Sequence, residues 1–139
     1  MPTLCGVNIM KLALITKSFR FEAAHQLPEH RGKCARLHGH SYRLDVTLRG
    51  PIKDDLEQPD YGMVMDFEKL SGIVRASVIE QLDHYNLNEV TDIYTTAENL
   101  VHWIWETLVS AGLPETILYR VRLWETDSCF AEITLNERE

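Results

Sequence analysis

The chain has 139 residues, of which 45% are hydrophobic, so it can bury one sizeable core and is too short for two ordinary domains. It carries 21 acidic residues against 14 lysines and arginines, and the net charge of −7 argues against a general nucleic-acid or anionic-membrane surface. We therefore expect residues 10–139 to form a single domain and a small molecule to be its partner.

The sequence contains no targeting signal that we can identify. No apolar run approaches the roughly 20 residues needed to span a bilayer, and no basic region precedes a cleavage site. Cys5, Cys34 and Cys129 lie far apart and contain no Cys-x-x-Cys pair, which argues against a disulfide framework. These features predict a cytoplasmic protein. Residues 1–9 follow no periodic pattern, so we interpret them as a flexible extension or an upstream start without a function of its own.

Two predicted strands, the first opening at Met10, place three histidines on apolar faces. The alternating residues on these faces are Phe19, Phe21, Ala23 and His25 in the first strand, and His38, His40, Tyr42, Leu44, Val46 and Leu48 in the second. Histidines two positions apart on a strand have Cα atoms about 6.6 Å apart, so both rings can reach one ion. The neighbouring strand can supply the third ring.

The trio His25, His38 and His40 is typical of a catalytic zinc (Zn²⁺) site. Such sites use three protein ligands and keep one coordination position open, whereas a structural site is normally closed by a fourth ligand. A single histidine would more often be a core or surface residue, but three on apolar strand faces favour a metal. His30, in a charged loop, and His102, within a helix, are interpreted as ordinary residues.

The middle of the sequence predicts two amphipathic helices. A short strand at residues 63–65 precedes Asp66, which can cap a first helix that ends near Asp83. The second helix is predicted to begin at Thr95, whose Thr-x-x-Glu pattern with Glu98 has the form of a capping box, and to end before Gly-Leu-Pro.

Two further strands follow the helices. In the run from residue 117 to 125, the odd positions lie on one apolar face that ends in Glu125. A carboxylate there needs a hydrogen-bonding partner such as a ligand, unless it simply ends the strand in water. The last strand is predicted at about residues 130–135. The order ββααββ predicts an α+β protein with a four-stranded antiparallel sheet and two helices on one face.

Two other positions carry chemistry suited to proton transfer. Cys34 lies in a loop whose basic residues favour a thiolate, which can act as a base. These basic residues are Arg31, Lys33 and Arg36. Asp83 and His84 follow a helix C-terminus, where the dipole stabilises an imidazolium, although a simple helix stop is the alternative. Cys5 and Cys129 are interpreted as inert thiols.

Six motifs occur together in an order typical of one enzyme family. They are Phe-Glu-Ala-Ala-His25, Cys34-x3-His-Gly-His40, Gly-Met-Val-Met-Asp-Phe67, Leu-Asp-His-Tyr-Asn-Leu-Asn88, Thr-Ala-Glu-Asn99 and Trp-Glu-Thr126. The chain resembles the 6-pyruvoyltetrahydropterin synthase superfamily, and its three-residue gap after Cys34 looks like that of the 6-carboxy-5,6,7,8-tetrahydropterin synthases. Folate-pathway relatives carry a glutamate in this gap, which the chain lacks. Thr95 departs from the proline of many relatives.

The resemblance implies a tunnelling fold, in which the sheets of several subunits join into barrels within a homo-oligomer, commonly a hexamer, with active sites at subunit contacts. It also implies a role for each motif residue. The implied roles are zinc ligation by His25, His38 and His40, proton abstraction by Cys34, proton relay by His84 with support from Asp83, pterin anchoring by Glu125, and lining of the pterin pocket by Thr96 and Glu98.

The implied reaction converts 7,8-dihydroneopterin triphosphate and water into 6-carboxytetrahydropterin, acetaldehyde and triphosphate, a zinc-dependent step toward queuosine and related 7-deazapurines. The nearest alternative is 6-pyruvoyltetrahydropterin synthase, which eliminates triphosphate but keeps the three-carbon side chain. A cupin-type oxygenase is disfavoured because strand parity points Asp45 away from the histidines. A zinc deaminase would require a Pro-Cys-x-x-Cys sequence, which is absent. A non-catalytic, zinc-stabilised oligomer is the remote alternative.

Overall fold

The structure, a computed structural model, describes residues 10–137, so the predicted N-terminal extension and Cys5 lie outside the described residues. A single sheet has the strand order β3-β1-β2-β4-β5. The strands are β1 (Leu12–His25), β2 (His38–Pro51), β3 (Tyr85–Asn86), β4 (Leu118–Thr126) and β5 (Cys129–Thr134). The helices are α1 (Phe67–Val74), which continues through a π-helical stretch (Arg75–Ile79) into α2 (Glu80–Leu82), then α3 (Leu87–Val90) and α4 (Ala97–Ser110). The expected α+β class is confirmed.

The two long N-terminal strands form the centre of the sheet. β1 and β2 pair antiparallel over their full length, from Leu12 opposite Pro51 to His25 opposite His38. Because the register is continuous, every second side chain of both strands falls on the same face of the sheet. The predicted histidines therefore arrive at one end of this strand pair.

The helices cover one face of the sheet, and the core lies between the helices and this face. The predicted strand residues Phe19, Phe21, Ala23, Tyr42, Leu44, Val46 and Leu48 are all buried there. Helix α4 contributes Leu100, Val101, Ile104, Trp105 and Leu108, which are also buried. Full burial of a large apolar side chain stabilises the fold by about 1.5–3 kcal/mol. The buried residues are those that alternate along the two strands and recur every three or four positions along the helix.

The number of strands differs from the prediction. In the described part of the chain the sheet has five strands, because β3 pairs in parallel with β1, where Ala23 and Ala24 face Tyr85 and Asn86. Two residues are too few to produce an alternating pattern, so this strand left no signal in the sequence. The predicted strand at residues 63–65 is wrong, since the chain bends there. Val64 and Met65 in this bend are buried against the core.

The start of β4 also departs from the predicted alternation. The register against β2 shifts between Thr47 and Leu48, so that Leu48 faces Leu118. Leu118 is fully buried, whereas Tyr119 and the preceding Ile117 are half-buried. Such a bulge moves the following side chains by one position. The odd-parity face is therefore correct at Val121 and Leu123, both buried, and wrong at the beginning of the strand.

The start of α1 is predicted correctly from the sequence, whereas the start of α4 is not. Asp66 caps α1 by accepting a hydrogen bond of 2.8 Å from the backbone N–H of Glu68, as predicted. The capping box at Thr95 is wrong by one residue. Thr96 is the N-cap of α4, and its hydroxyl accepts a hydrogen bond of 3.3 Å from the N–H of Asn99. Among the described residues, no helix is long and apolar enough to cross a membrane.

Candidate metal centre and active site

The ends of β1 and β2 bring three histidines together. His25 is the last residue of β1 and lies opposite His38, while His40 lies opposite Ala23. The ring centroid of His25 is 4.6 Å from that of His38 and 5.2 Å from that of His40. One ligand nitrogen of each ring lies within 4.8 Å of the others. One ion with zinc–nitrogen distances of about 2.0–2.1 Å needs its ligand nitrogens close together, and these three are grouped in that way.

The hydrogen bonds around these rings leave nitrogen lone pairs free for a metal. The Nδ1 of His25 lies 2.9 Å from the Thr95 carbonyl, and the Nδ1 of His38 lies 2.8 Å from the Arg36 carbonyl. Because a carbonyl only accepts, each Nδ1 carries the proton and each Nε2 keeps its lone pair. The Nε2 atoms of His25 and His40 are buried without a hydrogen-bond partner. This donor set fits a zinc ion.

Burial also favours the neutral form that a metal ligand requires. Loss of solvent lowers the pKa of His25, and the hydrogen bond to Thr95 offsets this only in part. Loss of solvent likewise lowers the pKa of His40, while the nearby charge of Glu125 acts in the opposite direction. Both imidazoles are therefore neutral at pH 7, and a cation can bind them without first displacing protons.

Thr95 is a site residue that the sequence analysis assigned to another role. It is fully buried, and both its carbonyl and its hydroxyl oxygen, at 2.9 Å and 3.2 Å, face the Nδ1 of His25. Outer-shell partners of this kind fix the orientation and basicity of a metal-ligating histidine. The sequence predicts a helix cap at Thr95, but Thr96 is the cap. Thr95 instead contacts the ring of His25.

We expect Thr95→Val to weaken zinc binding. The substitution keeps the shape and the carbonyl but removes the hydroxyl, so the loss should be about tenfold, the lower end for outer-shell partners. Competition with a chromophoric chelator measures this affinity. Thr96→Val is the matched control: loss of the helix cap should destabilise the fold by about 1 kcal/mol and leave zinc affinity unchanged. Equal affinity in Thr95→Val and the parent protein would contradict the assignment.

Glu125 lies beside the histidines at the end of β4. Its Oε1 is 3.7 Å from the Nε2 of His40, and 30% of its side chain is exposed. It lines a cleft of about 610 Å³ together with Thr96 and Glu98. The structure thus brings together the three residues that were predicted to bind a pterin, next to the histidine cluster.

Asp83 and His84 form a hydrogen-bonded pair at the edge of the sheet. The Nδ1 of His84 lies 3.0 Å from the Oδ1 of Asp83, which also accepts a hydrogen bond of 2.9 Å from the N–H of Glu22. This backbone donor, more than His84, lowers the pKa of Asp83. His84 adopts a φ of 65° and is held there by a hydrogen bond of 2.6 Å from its N–H to the Glu22 carbonyl. Its exposed ring shares a cleft of about 470 Å³ with His40.

Cys34 lies on the loop that leads into β2. It occupies a short 3₁₀ turn (Lys33–Ala35), is half-buried, and its carbonyl accepts a hydrogen bond of 2.8 Å from the N–H of Leu27. Neither the cleft at Glu125 nor the cleft at His84 has Cys34 in its wall. A single chain therefore does not place the predicted base in either cleft.

A family model described as 6-pyruvoyl tetrahydropterin synthase matches residues 14–136. The chain belongs to the 6-pyruvoyl tetrahydropterin synthase family. It is 44% identical over 116 residues to the 6-carboxy-5,6,7,8-tetrahydropterin synthase of Synechocystis, covering 81% of this chain and 86% of the relative. It is 38% identical over 125 residues to the dihydroneopterin monophosphate aldolase of Pyrococcus furiosus, covering 89% and 98%.

Solved structures of the 6-pyruvoyl tetrahydropterin synthase family share the fold. The Caenorhabditis elegans 6-pyruvoyl tetrahydropterin synthase superposes with a TM-score of 0.80 at 28% identity, over 92% of this chain and 99% of that one. The expected tunnelling-fold topology is thus confirmed, with the additional short strand β3. The protein is an enzyme of this family, and its relatives bear the names of different pterin reactions.

Proposed function

We propose that the protein is a 6-carboxy-5,6,7,8-tetrahydropterin synthase, which converts 7,8-dihydroneopterin triphosphate and water into 6-carboxytetrahydropterin, acetaldehyde and triphosphate. The observation that carries the proposal is the convergence of the three histidines with Glu125, whose carboxylate lies 3.7 Å from His40. A candidate metal centre and a candidate pterin anchor thereby meet beside one cleft. The name of the Synechocystis relative supports this choice among the reactions of the family.

In this proposal, zinc is held by the Nε2 atoms of His25, His38 and His40. Their partners Thr95 and Arg36 fix the ring orientations through backbone carbonyls. When bound, zinc supplies Lewis-acid polarisation of oxygens on the substrate side chain.

Glu125 anchors the pterin ring. A carboxylate accepts two hydrogen bonds from the ring N–H and the exocyclic amino group, and such charge-assisted, paired bonds are strong and directional. Glu98 and Thr96 line the same cleft at the start of α4. The anchor fixes the ring so that its side chain extends toward the histidine cluster.

Cys34 takes the proton from the substrate side chain, and His84 returns it, with Asp83 holding the imidazole ring. The contact between Asp83 and His84 supports this role, since the Oδ1 of Asp83 lies 3.0 Å from the Nδ1 of His84. General acid–base groups of this type contribute typically 10²–10⁴-fold to a rate. Because Cys34 lies outside the wall of the His84 cleft of its own chain, we place the complete active site at a contact between subunits.

The open sheet edges support a homo-oligomer, which we propose to be a hexamer. Within residues 10–137, β3 covers β1 only at Ala23 and Ala24, so most of this edge of β1 has no neighbouring strand there, and β5 forms the other edge. Edge strands present unpaired backbone groups that can pair with another chain. Joining β1 of one subunit to β5 of the next would close the sheets into a barrel. Residues 10–139 then form one catalytic domain, which we place in the cytoplasm and in the synthesis of queuosine and related 7-deazapurines.

Incubation of the zinc-loaded protein with 7,8-dihydroneopterin triphosphate, followed by mass spectrometry and an acetaldehyde assay, tests the proposal. We expect 6-carboxytetrahydropterin and acetaldehyde in equal amounts. A product that keeps the three-carbon side chain would instead identify a 6-pyruvoyltetrahydropterin synthase. Absence of any product would leave the non-catalytic zinc oligomer as the better description.

The basic loop around Cys34 is expected to offset the charge of the triphosphate. Arg31 and Lys33 are exposed, and their positive charges raise the local concentration of an anionic substrate. Replacing both by glutamine should raise the KM for 7,8-dihydroneopterin triphosphate about tenfold, with little change in kcat. Lys11→Gln, on another exposed part of the chain, is the control. An unchanged KM in the double variant would contradict this role of the loop.

A further inference from the structure

A buried carboxylate lies on the face of the sheet opposite the core. Asp45 of β2 is 6% exposed, and it accepts hydrogen bonds from one side chain each of β1, β2 and β4. The donors are the hydroxyl of Ser18 at 2.6 Å, the Nε and Nη2 of Arg43 at 3.0 Å and 3.2 Å, and the indole Nε1 of Trp124 at 3.1 Å. One side chain therefore connects β1, β2 and β4.

This carboxylate remains ionised in the folded protein. Burial alone would raise the pKa of Asp45, but the hydrogen bonds from Ser18, Arg43 and Trp124 outweigh it and lower the pKa. A buried charge is costly unless its hydrogen bonds are complete. Asp45 does not pack in the apolar core and has no role in the proposed chemistry. The arrangement of the side chains that donate hydrogen bonds to it therefore needs another explanation.

The donor on β4 immediately precedes the candidate pterin anchor. β4 pairs with β5 at Trp124 and again at Thr126, with a register shift between them, so Glu125 lies at a bulge. Bulges loosen a strand locally and change the direction of a side chain, and they occur next to active sites. A residue at such a point needs a fixed neighbour to keep its direction.

Trp124 is fixed from three sides. Its indole N–H binds Asp45, its ring packs on Phe130 with centroids 4.5 Å apart, and the guanidinium of Arg43 lies 5.4 Å from its ring centroid. The indole of Trp124 is held on the Asp45 face of the sheet, whereas the next residue, Glu125, reaches the histidine face, so a fixed Trp124 limits the directions open to Glu125 at the bulge. There the Oε1 of Glu125 is 3.7 Å from the Nε2 of His40.

We propose that Asp45 is a positioning residue for the pterin anchor: by holding the indole of Trp124 on one face of the sheet, it sets the direction of Glu125 on the other. This inference rests on the proposed role of Glu125 in binding the pterin ring. It assigns a functional consequence to a hydrogen-bond network whose members do not themselves line the candidate pterin cleft, although Trp124 packs on Phe130 of its wall.

Two variants that each remove one donor from Asp45 separate positioning from stability. Trp124→Phe keeps an aromatic ring but loses the hydrogen bond next to Glu125. Ser18→Ala loses a hydrogen bond to the same carboxylate from β1. The probe is 7,8-dihydroneopterin, which lacks the triphosphate leaving group, and its Kd for the zinc-loaded protein is measured by calorimetry. Zinc content and Tm are measured for each variant, and Glu125→Gln provides the reference for loss of the anchor.

We expect Trp124→Phe to weaken binding of 7,8-dihydroneopterin about tenfold with unchanged zinc content, and Ser18→Ala to bind as the parent protein does despite a similar decrease in Tm. Parent-like binding by Trp124→Phe, beside weak binding by Glu125→Gln, would overturn the positioning role alone. Equal weakening in Ser18→Ala would overturn it too, because the network would then act only through stability. Parent-like binding by Glu125→Gln would remove the anchor assignment itself and the inference with it.

Discussion

Replacing Cys34 by alanine is expected to abolish turnover of 7,8-dihydroneopterin triphosphate while zinc content stays near one ion per chain. The three histidines are expected to hold the metal without the thiol, because their nitrogens alone form the candidate ligand cluster among the described residues. Removal of a general base typically lowers a rate by 10²–10⁴-fold, and no other thiol is available on this loop. Product formation by mass spectrometry and zinc by atomic emission measure the two quantities on the same sample.

Cys129→Ala is the matched control for this prediction. Cys129 is also a free thiol; it is exposed at the first residue of β5 and borders the cleft of Glu125. Its removal should lower turnover far less than the roughly 10²–10⁴-fold expected for loss of the base, since we assign it no proton transfer. Retained turnover in Cys34→Ala would remove the base from the proposed mechanism. It would favour a metal-binding protein in which the thiol has no catalytic part.

The grouping of the three candidate metal ligands could be predicted because it depends on a local rule. Alternation along a strand places His38 and His40 on the face of Tyr42, and the same rule places His25 on the face of Phe21. The only long-range requirement was that the two strands pair in the right register. A shift by one residue would move the apolar side chains of one strand to the other face of the sheet, so the apolar pattern disfavours it. The structure has this register, with His25 opposite His38.

Contacts between distant segments could not be predicted in the same way. The role of Thr95 depends on a hydrogen bond to a histidine 70 positions away, whereas its sequence neighbours indicate only a helix cap. The β3 strand exists because the chain after α2 returns to the edge of β1, and its two residues carry no period. The bulge that places Leu118 in the core likewise arises from pairing with Leu48. In each case a tertiary contact outweighed the local pattern.

The second large expected effect is loss of zinc on substitution of a histidine in the candidate metal centre. His40→Ala should lower zinc affinity by more than the roughly 100-fold that outer-shell substitutions cause, and turnover should fall with it. Treatment of the parent protein with a strong chelator should have the same effect, reversed by added zinc. His102→Ala is the control, because His102 is exposed on α4 and should keep both zinc and activity. Zinc retained by His40→Ala would require another ligand in its place.

Acidity provides an independent test of the same three rings. Burial lowers the pKa of His25 and of His40 in the metal-free fold below the usual value near 6.5. The unfolded chain then binds more protons, so the stability from these groups is fully present above pH 6.5 and is lost as the pH falls through the folded pKa values. Zinc requires the same neutral rings, so its affinity should fall with the pH over this range as well. Chelator competition between pH 5 and 8 should show this decrease in the parent protein and in His102→Ala alike. An affinity independent of pH over that range would mean that the metal is not held by imidazoles, and His40→Ala would then keep its zinc.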